Sequence, residues 1–158
     1  MSAGMDLVEF DMAHAATVAG WPTSDTESFR WCGRPATPGL VASWSDDPDV
    51  RAYLLVDNGE PVAYGELWLD EVETELARLI VAPAHRRRGA GRRLVTALTE
   101  RARRRDADLI CLRVHPDNET ALRLYERTGF RPVDEATAAE WNADQPLEYR
   151  WLSFVEET

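Results

Sequence analysis

The chain has 158 residues, and its 44% hydrophobic and 29% charged residues are typical of one folded domain rather than of a disordered chain. A formal net charge of −10 disfavours a protein whose partner is nucleic acid, and no apolar run is long enough to cross a membrane. The first residues lack the charged start and apolar stretch of a signal peptide, so we expect a cytoplasmic protein with no membrane partner.

Patterns in the first third of the chain predict one strand, two helices and a loop. Residues 6–10 read as a strand, and residues 11–19 as a short helix. Ser24 and Glu27 have the spacing of a capping box, which predicts the start of a second helix. Frequent proline and glycine residues predict that 33–50 is mostly loop.

The middle of the chain predicts an antiparallel meander. Residues 51–56 and 61–69 read as strands, and Asn58-Gly59 between them is a strong signal for a tight hairpin turn. Residues 75–81 predict a third strand, which ends before Pro83.

The remainder of the chain alternates between helical and strand patterns. Apolar spacing predicts a helix over residues 89–106, and the continuous apolar run at 109–114 predicts a buried strand. Three further elements follow: a helix over 118–127 that Gly129 closes, and strands at 130–134 and 147–154. The order of elements predicts a mixed α/β fold.

A cluster of positive charge interrupts this acidic chain. Between His85 and Arg105 there are nine arginines and one acidic residue, Glu100, and two glycines, Gly89 and Gly91, stand at the start of the predicted helix. A helix N-terminus exposes unpaired amides, glycine permits close approach, and arginine adds charge and forked donors. Together these features predict a site for an anion such as pyrophosphate.

Four explanations of this cluster compete. A Walker A loop requires lysine, and the chain has none. A dinucleotide fingerprint should follow its strand directly, whereas the glycines here come several residues after Pro83. Nucleic-acid binding conflicts with the net charge, and an ordinary charged helix does not account for the glycine pair.

A further explanation, beyond these four, is a resemblance that two motifs carry. Arg86-Arg87-Arg88-Gly89-Ala90-Gly91, after a strand that ends in Val81-Ala82-Pro83, resembles the acetyl-coenzyme A motif of the GNAT N-acetyltransferase superfamily, [Q/R]-x-x-G-x-[G/A]. Downstream, the family pattern N-x-x-A-x-x-x-Y-x-x-x-G-F is matched by Asn118, Ala121, Tyr125, Gly129 and Phe130. The resemblance covers about residues 51–134.

The resemblance implies the GNAT fold, an α/β fold with a mixed, mostly antiparallel sheet that is splayed between two parallel strands and flanked by helices. It implies a single domain over residues 1–158. Within it we expect a helical acceptor-side region at 1–50, an acetyl-CoA-binding core at 51–134 and a C-terminal strand region at 135–158.

The resemblance also implies acetyl-CoA as the cosubstrate, with no metal. Loop amides would bind the pyrophosphate, the preceding strand would bind the pantetheine arm, and Asn118 would contact the pantetheine, cap its helix, or do both. The implied cofactor-binding residues are Leu79, Ile80, Val81, Arg86, Arg87, Arg88, Gly89, Ala90, Gly91, Arg92, Asn118 and Tyr125.

For catalysis, the resemblance implies that Tyr125 is the general acid that protonates the departing thiolate, since a phenol stays protonated at neutral pH. Glu75, eleven residues before Arg86, matches a glutamate that serves as general base in some members. Glu66 is a second candidate for the base, and the third alternative is an amine that arrives already deprotonated. Arg113 stands where the ribosomal-protein type has a glutamate, which argues against that subtype.

The implied reaction is acetyl transfer to a primary amine of a small molecule or peptide. Acidic residues in the acceptor half favour a cationic amine such as a polyamine, an aminoglycoside or a peptide N-terminus. A non-catalytic acyl-CoA sensor is the alternative. Two considerations favour a homodimer: members of the family commonly form dimers, and the last predicted hairpin has a strand edge that a second copy could pair with.

Overall fold

The structure is a computed structural model that describes residues 4–105 and 107–156. This part of the chain forms one seven-stranded sheet with helices on both faces. Its strands are β1 (Met5–Glu9), β2 (Val50–Asp57), β3 (Glu60–Leu69), β4 (Glu73–Val81), β5 (Leu109–Val114), β6 (Phe130–Pro132) and β7 (Arg150–Phe154). Its α-helices are α1 (Ala15–Ala19), α2 (Asp25–Cys32), α3 (Pro38–Ser43), α4 (Ala90–Arg104), α5 (Glu119–Arg127) and α6 (Glu135–Asn142).

The strands follow the order β1-β2-β3-β4-β5-β7-β6. Every neighbouring pair is antiparallel except β4 and β5, which run parallel and are joined by the crossover helix α4. The mixed, mostly antiparallel sheet predicted from the sequence is therefore confirmed.

Each face of the sheet carries its own core. Helix α4 buries Leu94, Val95, Leu98 and Ala102 against one face, as its apolar spacing predicts. The other face is covered by α1 and α3, where Val18 and Val41 pack with aromatic side chains of the sheet and its connections. The two faces keep the N-terminal helices apart from α4 and α5.

Two local predictions are confirmed in detail. At the β2–β3 turn, Asn58 and Gly59 have φ angles of 51° and 83°, as a two-residue hairpin turn requires. Helix α2 begins at the predicted cap, where Ser24 Oγ accepts a hydrogen bond from the Glu27 amide at 3.1 Å.

One sequence-based prediction is wrong, and one helix was not predicted. Residues 33–50 are not mostly loop, because Thr37 caps α3 by accepting from the Leu40 amide at 3.1 Å, and Pro38 fills a first-turn position that needs no amide donor. The C-terminal region at 135–158 also contains α6, which Asp134 caps. Both caps precede helices too short to show a clear apolar period.

Boundaries shift at several other elements. Strand β6 ends at Pro132, and β7 begins at Arg150 rather than at residue 147. The predicted helix over 89–106 extends from Ala90 to Arg104, and residue 106 lies outside the described residues. Among the residues that the structure describes, no helix is long and apolar enough to cross a membrane.

Candidate active site

The two parallel strands separate partway along their length. Pairing between β4 and β5 runs from Glu73–Leu109 to Leu76–Leu112 and then stops. Beyond that point β4 pairs only with β3, and the end of β5 pairs only with β7. A gap therefore opens between the two strands, toward the carboxyl end of β4.

The register of β4 turns two amides toward this gap. The Ala82 amide donates to the Val62 carbonyl at 2.8 Å, so the preceding pair, Val81 with Ala63, lies where main-chain groups point away from β3. The amide of Val81 consequently faces the gap, and alternation along the strand gives Leu79 the same orientation.

Ile80 differs from its two neighbours. It is paired with Tyr64 at the adjacent register position, where main-chain groups face β3. Its side chain is buried in the core beneath the N-terminal helices. Of the three strand residues predicted to bind the cofactor, only Leu79 and Val81 thus offer main-chain groups to the gap.

The loop after β4 presents a run of unpaired amides at the same end of the gap. The backbone amides of residues 87–92 donate no hydrogen bond of normal geometry to any residue that the structure describes. The first intrahelical bond of α4 is from Arg93 to the Gly89 carbonyl, at 3.0 Å. Unpaired amides at a helix start, together with the helix dipole, form a binding site for an anion.

The two glycines of this loop have different roles. Gly89 has φ = 85° and open space around it, so its backbone conformation requires glycine. Gly91 lies in a closely packed place, because an added Cβ would lie 3.6 Å from Val81 Cγ2 and 3.3 Å from Leu124 Cδ2, which would have to shift slightly. Arg87 also has positive φ, 63°, which bends the loop around its own amides.

The arginines of the loop divide into two groups. Arg87, Arg88 and Arg92 are exposed, and their side chains make no hydrogen bond within the described part of the chain. Arg86 is engaged: its Nε donates to the Val81 carbonyl at 3.0 Å, and Nη2 and Nη1 donate to the two carboxylate oxygens of Glu27 at 2.7 and 3.1 Å. Three loop arginines are therefore free to pair with an anion, whereas Arg86 fastens the loop to α2.

Tyr125 lies on α5, which borders the loop through the contact of Leu124 with Gly91. The Tyr125 ring packs against Phe130, and its hydroxyl makes no hydrogen bond to any described residue. Burial raises the pKa of Tyr125 to about 12. The phenol is thus protonated at neutral pH and free to donate.

Asn118 is the cap of α5. Its Oδ1 accepts a hydrogen bond from the Ala121 amide at 3.2 Å. The cap role is therefore present, and the side-chain amide nitrogen is left for another partner.

Glu75 makes a two-point ion pair across the strands. Nε and Nη2 of Arg113 donate to its two carboxylate oxygens at 2.7 and 2.9 Å. The pKa of Arg113 lies above the ordinary value for arginine. Burial alone would lower this pKa, but the hydrogen bonds to Glu75 and its charge outweigh burial and raise it. Both carboxylate oxygens of Glu75 are therefore held by one guanidinium.

Glu66 is buried and surrounded by donors. It accepts from Trp68 Nε1 at 2.7 Å, from Arg78 Nη1 at 2.9 Å and from the Tyr64 hydroxyl. Burial raises the pKa of Glu66, and the three donors oppose that shift. The geometry makes Glu66 an internal anchor for Arg78.

The sequence-based reasoning gave no role to Arg78. Two residues of β4, Arg78 and Leu79, lie opposite Gly65 alone, and this bulge gives Arg78 a φ of 50°. Its carbonyl accepts from Trp31 Nε1 at 2.7 Å. One feature of the sequence could have indicated a role for Arg78: it is the single arginine inside the largely apolar run 75–81. The bulge places this arginine beside the gap.

Comparisons with known proteins agree with this geometry. A family model described as the acetyltransferase (GNAT) family matches residues 10–130. The uncharacterized N-acetyltransferase YobR of Bacillus subtilis is 38% identical over 83 residues, 52% of this chain and 34% of that protein. The mycothiol acetyltransferase of Saccharopolyspora erythraea is 37% identical over 108 residues, 63% of this chain and 32% of that protein. The chain spans about a third of the length of these two relatives.

The fold has counterparts among solved structures. The structure of AAC(6')-Ib in complex with paromomycin and acetyl-CoA superimposes with a TM-score of 0.77 over 97% of this chain and 94% of that one. Sequence identity is 19%, so this likeness concerns the fold alone.

Proposed function

This chain belongs to the acetyltransferase (GNAT) family, and we propose that it transfers an acetyl group from acetyl-CoA to a primary amine. One observation carries the proposal: six consecutive loop amides, at residues 87–92, donate no hydrogen bond of normal geometry to a described residue, at the place where β4 has parted from β5. That run suits the linked phosphates of coenzyme A, and the gap suits its extended arm.

The residues of the loop and gap have separate roles in this proposal. Amides 87–92 bind the pyrophosphate, and the exposed Arg87, Arg88 and Arg92 add charge. The main chain of Leu79 and Val81 holds the arm by hydrogen bonds that replace the missing strand pairing. Asn118 caps α5 and offers its free amide nitrogen to the same arm.

The chemical step needs an acid at the sulfur and a polarised carbonyl. The amine nitrogen forms a bond to the acyl carbon as the carbon–sulfur bond breaks, with the Val81 amide polarising the carbonyl. Tyr125 gives its proton to the leaving thiolate, because its free hydroxyl and raised pKa keep it protonated. Water that receives the amine proton restores the phenol.

We assign no proton-accepting role to the two candidate glutamates. Both oxygens of Glu75 are held by Arg113, and Glu66 is enclosed by three donors. The amine therefore enters as the neutral base, and the rate rises with pH as more of the amine is deprotonated.

Two measurements on the purified chain test the proposal. Titration calorimetry with acetyl-CoA should show binding, and a free-thiol assay with a panel of amines should show release of coenzyme A that depends on the amine. No heat on adding acetyl-CoA would overturn the proposal at its first step. The prediction of a cationic acceptor is tested by including a polyamine and an aminoglycoside, and that of a homodimer by light scattering.

A non-catalytic acyl-CoA sensor is the second candidate. One observation favours it: within the described residues, both predicted bases are paired, Glu75 with Arg113 and Glu66 with Arg78. The same two measurements separate the candidates, because a sensor binds acetyl-CoA and releases no thiol with any amine.

A further inference from the structure

Two guanidinium groups flank the point at which the gap opens. Arg113 is the residue of β5 that follows Leu112, the last one paired with β4. Arg78 lies on β4 two residues beyond Leu76, the partner of Leu112. In the proposed function, the carbonyl of the acyl group binds at the Val81 amide, three residues beyond Arg78 along β4.

Aromatic rings hold both arginines. The Arg78 guanidinium carbon lies 4.2 Å from the centre of the Trp44 ring and 5.0 Å from that of Trp68. The Arg113 guanidinium carbon lies 5.7 Å from the centre of the same Trp68 ring and 4.5 Å from that of Trp151. We call Trp44, Arg78, Trp68, Arg113 and Trp151 the arginine–tryptophan row.

The row exposes its cations and hides their carboxylate partners. The side chains of Arg78 and Arg113 are 23% and 26% exposed, whereas those of Glu66 and Glu75 are 0% and 12% exposed. A molecule that approaches the row thus meets guanidinium groups before it meets carboxylates.

The hydrogen-bond capacity of Arg78 is mostly unused. A guanidinium has five N–H donors. Arg78 uses one of them on a described residue, at Glu66, whereas Arg113 uses three, at Glu75 and Gln145. Glu66 accepts three hydrogen bonds and has no exposed surface. The row consequently offers donors on Arg78 that no described residue accepts.

We propose that the acceptor is an amine whose molecule also carries a carboxylate, as a free amino acid or short peptide does, and that Arg78 binds this carboxylate. The inference rests on the proposed function. Two parallel N–H donors match a carboxylate in a planar, two-point contact. The flanking rings hold the guanidinium flat and limit its rotation, which favours that contact.

The same geometry disfavours a polyamine or aminoglycoside at this point. A second cation beside Arg78 and Arg113 would be repelled, and the carboxylates that could attract it are buried beneath the row. Two acidic residues of the acceptor half are also engaged locally: Glu27 with Arg86, and Asp47 with the Asp49 amide.

A matched set of acceptors tests the inference. Each of the common amino acids and a set of dipeptides is compared with its own C-terminal amide, which keeps the amine and removes the carboxylate charge. For the preferred acceptor we expect kcat/KM to be about ten- to a hundredfold higher for the acid than for the amide, the range for a hydrogen bond to a charged group. Spermidine and an aminoglycoside should react more slowly than that acid.

Variants identify the arginine responsible. Arg78→Gln should remove the preference for the acid, mainly through KM for the acceptor, and Arg78→Lys should restore part of it. Acetyl-CoA affinity should change little in both variants. Arg51→Gln, which removes an exposed arginine of β2, is the matched control. If Arg78→Gln does not fold, calorimetry on the unmodified protein with bound coenzyme A can replace it. The affinity for each acid is then compared with the affinity for its amide, and tighter binding of the acid supports the inference.

Two results distinguish the levels of failure. Amides or polyamines that react as well as the acids would overturn this inference and leave the proposed function standing. Acetyl-CoA binding without thiol release for every amine would overturn the proposed function and, with it, this inference.

Discussion

Arg86 and Glu27 join the loop after β4 to helix α2. Their two hydrogen bonds, of 2.7 and 3.1 Å, connect residues 59 positions apart, while Arg86 Nε holds the Val81 carbonyl at 3.0 Å. One side chain thus orients the end of β4, the loop that follows it and the start of α2. In the proposed function, a loop that these contacts hold in place would lower the entropic cost of binding acetyl-CoA.

Glu27→Gln should weaken this connection. We expect the free energy of unfolding to fall by about 1 kcal/mol, the upper range for a partly exposed ion pair, and acetyl-CoA affinity to fall about threefold to tenfold as the loop loosens. Chemical denaturation and calorimetry measure the two effects. Asp25→Asn removes a charge from the same helical turn without breaking the pair, so an equal loss in both variants would contradict the prediction.

The contribution of this pair should depend on pH. Burial alone would raise the pKa of Glu27, but hydrogen bonds from Arg86 and Thr23 and the charge of Arg86 outweigh it and lower the pKa. A carboxyl with a lowered folded-state pKa stabilises the fold above its unfolded pKa, and that contribution is lost as pH falls through the folded value. The difference in unfolding free energy between the parent protein and Glu27→Gln should therefore become smaller as the pH falls from neutral into the acid range. A difference that stays constant would count against the ion pair.

Tyr125→Phe should lower turnover far more than cofactor affinity. Loss of a general acid lowers kcat by about a hundredfold or more, whereas acetyl-CoA affinity should stay within about twofold, since the hydroxyl has no partner among the described residues. Steady-state kinetics and calorimetry measure the two quantities. Tyr53→Phe removes a phenol elsewhere in the sheet and should leave kcat unchanged. Equal turnover in Tyr125→Phe and the parent would exclude the acid role.

Burial of Tyr125 also predicts that the free energy of unfolding changes at alkaline pH. The folded-state pKa of about 12 exceeds the ordinary value of 10.0, so the unfolded chain loses this proton first. The stabilisation is complete below the unfolded pKa and is lost as pH rises from about 10 to about 12. Between pH values of about 10 and 12, the free energy of unfolding should fall less in Tyr125→Phe than in the parent protein. If the two curves of unfolding free energy against pH are parallel, the phenol is not buried.

Gly89→Ala should destabilise the loop through its backbone. The positive φ of 85° costs a side-chain-bearing residue about 1–2 kcal/mol, and relief of that strain would misalign the loop amides. We expect lower unfolding free energy and weaker acetyl-CoA binding, with Gly89→Asn less affected. In contrast, Gly39→Ala lies in helix α3 with open space and ordinary φ, so it should stabilise by up to about 1 kcal/mol. Similar effects at both positions would contradict this account.

Glu75→Gln should lower stability without changing the shape of the pH–rate profile. Removing one partner leaves Arg113 charged and largely buried, at a cost of about 2 kcal/mol after allowance for its partial exposure. Glu73→Gln on the same strand is the control. Burial first, and then the charges of Asp70 and Glu75, raise the pKa of Glu73, so its removal should not destabilise. A rate loss in Glu75→Gln that recovers at high pH would instead establish Glu75 as the base.

Local signals in the sequence account for most of the fold. The Asn58-Gly59 turn, the Ser24 cap and the apolar period of α4 each depend on residues a few positions apart, and each is confirmed. Helices α3 and α6 were missed because two turns of helix show too few apolar positions to define a period. The family prediction is confirmed because its two motifs are also local patterns.

By itself, the sequence determined the strand–loop–helix that presents unpaired amides, since glycine positions and helix starts are properties of short segments. Only the tertiary structure decided which charges remain free. Arg86 is paired by Glu27 and Glu75 by Arg113, through contacts between residues far apart in the chain, whereas the bulge opposite Gly65 leaves donors of Arg78 beside the gap. Charge pairing depends on distances of a few ångströms between separate elements, and those distances exist only once the sheet has assembled.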